Sequence, residues 1–234
     1  MEIPAYLVNE HYDDRFFDVF NAIAEAKHVF FQGSGILESL SAMGPAKKEF
    51  RIGETGFGAG RVLVALMDLL GSSGLTGLNI TYNSVELHPV AAGRMAAILE
   101  SFRPEVGPLI DQLVMAYGSI DLSRKGWQQV QLTRPFGSLT LNLWIGEALD
   151  MVRALDRPCD AWFLDGHGPK KNPAMWRQEL LLAIGEKTVI GGACATYTVA
   201  GEVRRGLTAA GFSVEQAPGH GGKKAVLRGL KTVR

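Results

Sequence analysis

The chain of 234 residues is long enough for one domain with a sizeable core, and its 47% hydrophobic and 21% charged residues exclude disorder and a coiled coil. Lys plus Arg number 24 and Asp plus Glu number 24, which argues against a strongly basic nucleic-acid binder. Two cysteines, Cys159 and Cys194, exclude a disulfide scaffold and a cysteine-based zinc site. The opening MEIPAYLVNEHYDD has no apolar h-region, and no run approaches the roughly 20 apolar residues of a membrane span, so a soluble cytoplasmic protein without a membrane partner is expected.

In chain order, residues 1–45 do not fit an alternation of strands and helices and are read as a lead-in. Residues 46–234 do fit, apart from an insertion at about 103–135. Phe50–Gly53 is a short strand ending in a glycine-rich turn, and RVLVALMDLL from Arg61 has helical spacing. Leu78–Leu87 is rich in β-formers, and Pro89 opens a helix expected over Val90–Phe102. An insertion over about 103–135 holds a helix (Val106–Tyr117) and an extra strand (Trp127–Leu132). Leu139–Ile145, Ala161–Leu164, Thr188–Ile190 and Ala193–Tyr197 are further strands. Helices are expected over Glu147–Leu155, from Asn172-Pro173 to Ile184, and over Val199–Ala210, stopped by Gly211. A last antiparallel pair, Phe212–Gln216 and Ala225–Arg228, is joined by PGHGGK. This pattern predicts a doubly wound α/β sheet.

The neutral total hides an asymmetry. Residues 1–30 hold six acids and two bases, whereas 203–234 hold seven bases and one acid. A basic end on a neutral protein is either a phosphate-binding face or a solvated tail.

Four carboxylates fall at predicted strand tips. Glu54 opens the pattern ExGxGxG with Gly56, Gly58 and Gly60. The spacing is not the GxGxxG of a nicotinamide site, and an acid there would repel a pyrophosphate but suit a cationic ligand. S-adenosylmethionine, with its sulfonium and ammonium, fits that requirement. Glu86 ends the next strand, placed to accept hydrogen bonds from a ribose. Glu147 follows LTLNLWI and is placed either to meet an adenine amino group or only to favour a helix N-terminus. Asp165 ends a buried strand at the same sheet edge, as a general base or as a partner for a ligand ammonium. His167 follows it. No spacing suggests a metal, a hydrolase nucleophile or a Walker lysine.

The stretch DAWFLDGHGPKKNPAMW, with ETGFGAGR, SVELHP, LNLWIGEA, ATYTVAGEVRRGLTAAGF and GHGGKKAVL, resembles the methyltransferase domain of the bacterial tRNA 5-methylaminomethyl-2-thiouridine biosynthesis enzymes (MnmC-type). EHYDDRFF…EAKHVFFQGSGI resembles the lead-in of that family, so the likeness spans most of residues 10–228. The resemblance implies a class I S-adenosylmethionine-dependent methyltransferase fold, Rossmann-like, with a seven-stranded, mostly parallel sheet and an antiparallel final strand. It implies that Glu54, Gly56, Gly58 and Gly60 meet the methionine and ribose end of the donor, Glu86 the ribose and Glu147 the adenine, with Asp165 at the acceptor amine. The implied acceptor is the 5-aminomethyl group of a wobble uridine (5-aminomethyl-2-thiouridine) in the anticodon region of tRNA. His167 stands where the family commonly has Phe, Gly168 where it has Ala, and Lys170 where it has a small residue. No flavin oxidase domain, FAD or metal is expected.

Methyl transfer from a sulfonium needs alignment of donor and acceptor and exclusion of water. Asp165 would orient the amine and accept its proton. Trp176 and Tyr197 are candidates to stack on the base, whereas Trp162 is expected in the core. Lys170, Lys171, Arg204, Arg205, Lys223 and Lys224 are candidate phosphate contacts for tRNA. Two other readings share the fold: a small-molecule N-methyltransferase or aminopropyltransferase, and a non-catalytic tRNA- or nucleotide-binding module.

Overall fold

The structure is a computed structural model that describes residues 7–16, 22–44, 49–220 and 225–233. Its centre is an eight-stranded sheet built from β3 (Phe50–Glu54), β4 (Leu78–Glu86), β5 (Gly126–Arg134), β6 (Gly137–Ile145), β7 (Cys159–Phe163), β8 (Thr188–Thr196), β9 (Phe212–Pro218) and β10 (Ala225–Lys231), in the order β5-β6-β4-β3-β7-β8-β10-β9. Strands β6, β4, β3, β7 and β8 run parallel, and β5 and β10 are antiparallel to their neighbours. The edge strand β5 is one more than the seven expected, and it lies where the insertion predicts an extra strand.

Parallel central strands need cover on both faces, and they read as near-continuous apolar runs. Helices α1 (Ala22–Ala26), α2 (Ile36–Ser41), α3 (Arg61–Ser72), α4 (Ala92–Leu99) and α5 (Arg103–Tyr117) supply one apolar cluster. Helices α6 (Ala148–Ala154), α7 (Gln178–Glu186) and α8 (Gly201–Ala209) supply the other. Trp162 is wholly buried in the second cluster, as expected. The lead-in joins the first cluster through Ile23, Val29, Phe30 and Ile36. Between α1 and α2 the backbone widens into a π-helical stretch, Lys27–Gln32, a form frequent at functional sites. It packs on β8, where a Cβ at Gly33 would sit 3.1 Å from the Ala195 Cβ. A two-strand hairpin, β1 (Val8–Asn9) with β2 (Asp14–Arg15), precedes it.

Three expected elements are corrected. Pro89 does not open a helix: α4 starts at Ala92, and the Val90 carbonyl instead accepts the Tyr117 hydroxyl at 2.9 Å. The expected helix from Pro173 is one short turn, Pro173–Trp176, ended by extended backbone at Arg177. The Trp176 indole N–H is tied to the His167 carbonyl at 2.8 Å, so this turn serves the loop before it rather than α7. The break at Gly191-Gly192 is a bulge within one strand, where the register on β7 slips. Among the described residues no helix is long and apolar enough to cross a membrane.

Candidate active site

The chain moves outward from β3 through β4 to β6, then crosses back to β7 on the other side of β3. The carboxyl ends of these strands flank that switch point, where open α/β sheets bind ligands. A cavity of about 650 Å³ opens there.

The glycine turn is its floor. Thr55 donates its N–H to the Phe163 carbonyl (3.2 Å) and its hydroxyl to the Asp165 carbonyl (2.7 Å), tying the turn to the β7 exit. Phe57 N–H reaches the Val85 carbonyl (2.9 Å) and Gly58 N–H the Glu86 carboxylate (2.8 Å), tying it to the β4 exit. A Cβ at Gly56 would sit 3.1 Å from the Asp165 carbonyl oxygen, so any side chain there crowds the close approach of the turn to the β7 exit. Gly60, at φ +76°, turns the chain into α3.

Glu86 holds its second oxygen against the His88 N–H at 2.9 Å. Burial raises its pKa against the pull of these N–H bonds. Its carboxylate is fixed by backbone on two sides and borders the cavity. Glu147, exposed at the start of α6, also borders it, 3.9 Å from the Arg177 guanidinium.

Glu54 departs from the sequence expectation. It is 1% exposed, it accepts the Ser84 hydroxyl at 2.6 Å, and it does not line the cavity. Burial pushes its pKa up to about 8. It therefore supports the turn from beneath instead of facing a ligand. Gly60 also lies outside the lining, whereas Gly56 and Gly58 are part of it.

Asp165 lines the cavity with one oxygen 3.1 Å from the Arg61 guanidinium and the other accepting the Gly166 N–H at 2.8 Å. Arg61 is 7% exposed, donates to the Ala22 carbonyl at 3.0 Å and lies 3.6 Å from Glu25. Arg61 and Glu25 were not expected at the site. The only sequence signal for Arg61 is its place directly after the glycine turn.

The roof is the hairpin, and the sequence reading did not place it over the site. Asn9, Tyr12, Asp14, Arg15 and Phe16 all face the cavity. Arg94 bonds the Val8 carbonyl (3.0 Å), His11 stacks on His88 (3.7 Å between centroids), and Asp14 meets His167 Nδ1 (3.0 Å). Burial, with Glu86 and Glu147 nearby, raises the pKa of Tyr12, whose ring lies 4.5 Å from His167.

The expected acceptor-side residues are dispersed. Tyr197 lines the cavity and bonds the Gly166 carbonyl through its hydroxyl. Trp176 is buried behind the loop, edge-on to Tyr197, with no open face for a base, which corrects the stacking expectation. Lys171 is engaged by Asp13, at 2.8 Å from its carbonyl and 3.0 Å from its carboxylate. Lys170 is exposed on the same loop. Arg204 and Arg205 line a separate depression on α8 and are not among the residues that line the cavity. Lys223 and Lys224 lie outside the described residues. Two other bases of the C-terminal segment have structural partners: Arg228 pairs with Glu215, and the buried Lys231 caps the Ala210 carbonyl at 2.5 Å. Among the described residues no group of three His, Cys, Asp or Glu is placed to hold a metal. Burial pushes both cysteines up to about 12.

Comparison with known proteins follows the same lines. The chain is 37% identical over 213 residues to the tRNA 5-methylaminomethyl-2-thiouridine biosynthesis bifunctional protein MnmC of Caulobacter vibrioides, covering 91% of this chain and 34% of that protein. It is 36% identical over 218 residues to the protein of the same name from Chromobacterium violaceum, covering 93% and 32%. It thus spans about a third of the length of these curated relatives. The crystal structure of MNMC2 from Aquifex aeolicus superposes with a TM-score of 0.75 at 21% identity, covering 97% of this chain and 67% of that one, which shows a shared fold. Residues 105–232 match the family described as S-adenosyl-L-methionine-dependent methyltransferase. That match takes in more than half of the chain and the Asp165 strand tip, and on that ground the chain belongs to the S-adenosyl-L-methionine-dependent methyltransferase family.

Proposed function

We propose that the protein transfers a methyl group from S-adenosylmethionine to the amine of the 5-aminomethyl group of a wobble uridine (5-aminomethyl-2-thiouridine) in tRNA, acting on the anticodon region in the cytoplasm. The observation that carries this reading is the charge of the cavity. Asp14, Glu25, Glu86, Glu147 and Asp165 border it against two guanidinium groups, Arg15 and Arg61. A surplus of carboxylates suits a cationic donor and an acceptor that arrives as an ammonium. The likeness to the MnmC proteins supplies the identity of the amine.

The donor brings a methyl group on a positively charged sulfur. The chain's own work is to bind and align. Gly56 and Gly58 leave room for the donor against the β3 turn, Glu86 receives the ribose hydroxyls, and Glu147 meets the adenine amino group. Asp165, fixed by Arg61 and the Gly166 N–H, uses its remaining lone pairs to aim the acceptor amine. The hairpin roof keeps water out. Phosphate contacts fall to exposed bases at the rim, Arg15 and Lys170 among them, with Arg204 and Arg205 serving a more distant part of the RNA.

A second reading, a small-molecule amine acceptor, is favoured by one observation: the roof spans the cavity and Lys171 is already paired to it. The deciding experiment is incubation with labelled methyl donor and either bulk tRNA lacking the final methyl or a set of small alkylamines. Label in tRNA is expected. Label in the small amines alone overturns the RNA reading.

A further inference from the structure

His167 and Asp14 form a dyad on the wall of the cavity. The His167 side chain is 11% exposed, and its Nδ1 lies 3.0 Å from Asp14 Oδ2. Its ring borders the cavity under the tilted ring of Tyr12, and its own carbonyl is held by the Trp176 indole. A carboxylate on Nδ1 fixes the proton there and leaves Nε2 as an acceptor. Among the described residues no protein group bonds that nitrogen. The titratable and charged groups that border the cavity with it are Tyr12, Asp14 and Arg15 from the hairpin, Glu25 from α1, Arg61 from α3, Glu86 and His88 at the end of β4, Glu147 before α6, Asp165 from its own loop and Tyr197 just past β8.

We propose that His167, oriented by Asp14, is a catalytic residue that takes the proton from the acceptor ammonium; this rests on the amine-acceptor reading above. An alkylammonium titrates near pH 10, an imidazole at about 6.5 and a carboxylate at about 4, so an imidazole is the closer match by roughly 2.5 units. The step balances. The ammonium gives one proton to Nε2, leaving a neutral amine and an imidazolium. The amine lone pair then forms the N–C bond as the S–C bond breaks. The bonding pair stays on sulfur, the positive charge passes to the methylated nitrogen, and the imidazolium returns its proton to solvent past the half-exposed Asp14. Asp165 keeps the orienting role, because Arg61 and the Gly166 N–H already engage its two oxygens.

The test uses the full chain with tRNA lacking the final methyl, under single-turnover conditions across pH, with donor binding measured by calorimetry as the folding control. His167→Gln should bind the donor normally and lose about 10²–10⁴-fold in rate at pH 7. The loss should shrink as pH rises toward the amine's own titration, because the substrate then arrives deprotonated. Asp14→Asn should lose less. A His167→Gln rate equal to wild type at pH 7, or a loss that is the same at every pH, overturns the proposal. Nitrogen NMR of the wild-type ring is a second measurement that needs no turnover: the proton is expected on Nδ1, and a proton on Nε2 at neutral pH also overturns it. A wild type that binds donor but methylates no aminomethyl tRNA removes the acceptor reading and this proposal together. An active wild type with an indifferent His167→Gln removes this proposal alone.

Discussion

The floor of the cavity and its roof are made differently. The floor is a backbone turn tied at each exit by backbone groups and one short side chain: Thr55 to the β7 exit, Phe57 and Gly58 to the β4 exit, and a Gly56 where any Cβ would crowd the Asp165 backbone. The roof is ten described residues with two-residue strands, held to the body by Leu7 in the first apolar cluster and by side-chain contacts: Arg94, His11 on His88, Asp14 on His167 and Asp13 on Lys171. Backbone bonds within a packed sheet open only with the core, whereas a short segment held by a few side-chain contacts opens locally and at smaller cost. On the proposed function, a rigid donor platform is thereby combined with a cover that opens to admit the acceptor nucleotide.

The largest test of this contrast falls on the floor. Asp165→Asn keeps the shape but loses the charge that pairs with Arg61 and that, on the proposed function, aims the amine. Turnover should fall about 10²–10³-fold while donor affinity measured by calorimetry changes little. A variant that loses donor binding instead would place Asp165 at the methionine ammonium.

Next comes the buried acid under the turn. Glu54 titrates at about 8 in the folded chain against an ordinary 4.5. The folded state therefore holds a proton that the unfolded state has released, and stability falls as pH rises from about 4.5 to about 8. The loss should be on the order of a few kcal/mol. Urea denaturation across that range should show the slope in the wild type, and Glu54→Gln should flatten it.

Glu86→Ala should weaken donor binding by roughly 1–3 kcal/mol, since it removes a charged acceptor and orphans the Gly58 and His88 N–H groups. The smallest effect belongs to the roof. Lys171 and Asp13 are exposed partners, at 46% and 93%, so Lys171→Ala should change global stability by no more than about 1 kcal/mol. Amide exchange over residues 7–16 should nevertheless quicken. If exchange there is unchanged while the melting point drops, the roof is part of the rigid core and the contrast fails.

The same contrast separates what the sequence shows from what it hides. Strands β3, β4, β6 and β7 and the turns after them are local signals, and so the carboxylates Glu86, Glu147 and Asp165 are found at the expected sheet edge. Periodicity does not reveal which way a strand-tip side chain turns. Glu54 was read as facing the ligand, but Ser84 on the next strand draws it inward. Trp176 looked like a free aromatic because its partner carbonyl, His167, lies nine residues back in a loop of no regular form. The roof was least legible. EHYDDRFF carries Tyr12 and Asp14 in plain view, but nothing local says that they lie over a cavity whose other walls come from four strand tips.

The sequence distance of those contacts has a further consequence, for the birth of the molecule. Asp14 meets a partner 153 residues later, Asp13 one 158 residues later, and Val8 one 86 residues later. On the ribosome these residues emerge first and wait longest, because contacts of high sequence separation form only after the intervening chain exists. The hairpin cannot take its place until β7 and the loop beyond it have been made. A nascent chain that stops short of His167 lacks the partners of both Asp13 and Asp14. Closure of the cavity thus signals that the strand bearing Asp165 is already in place.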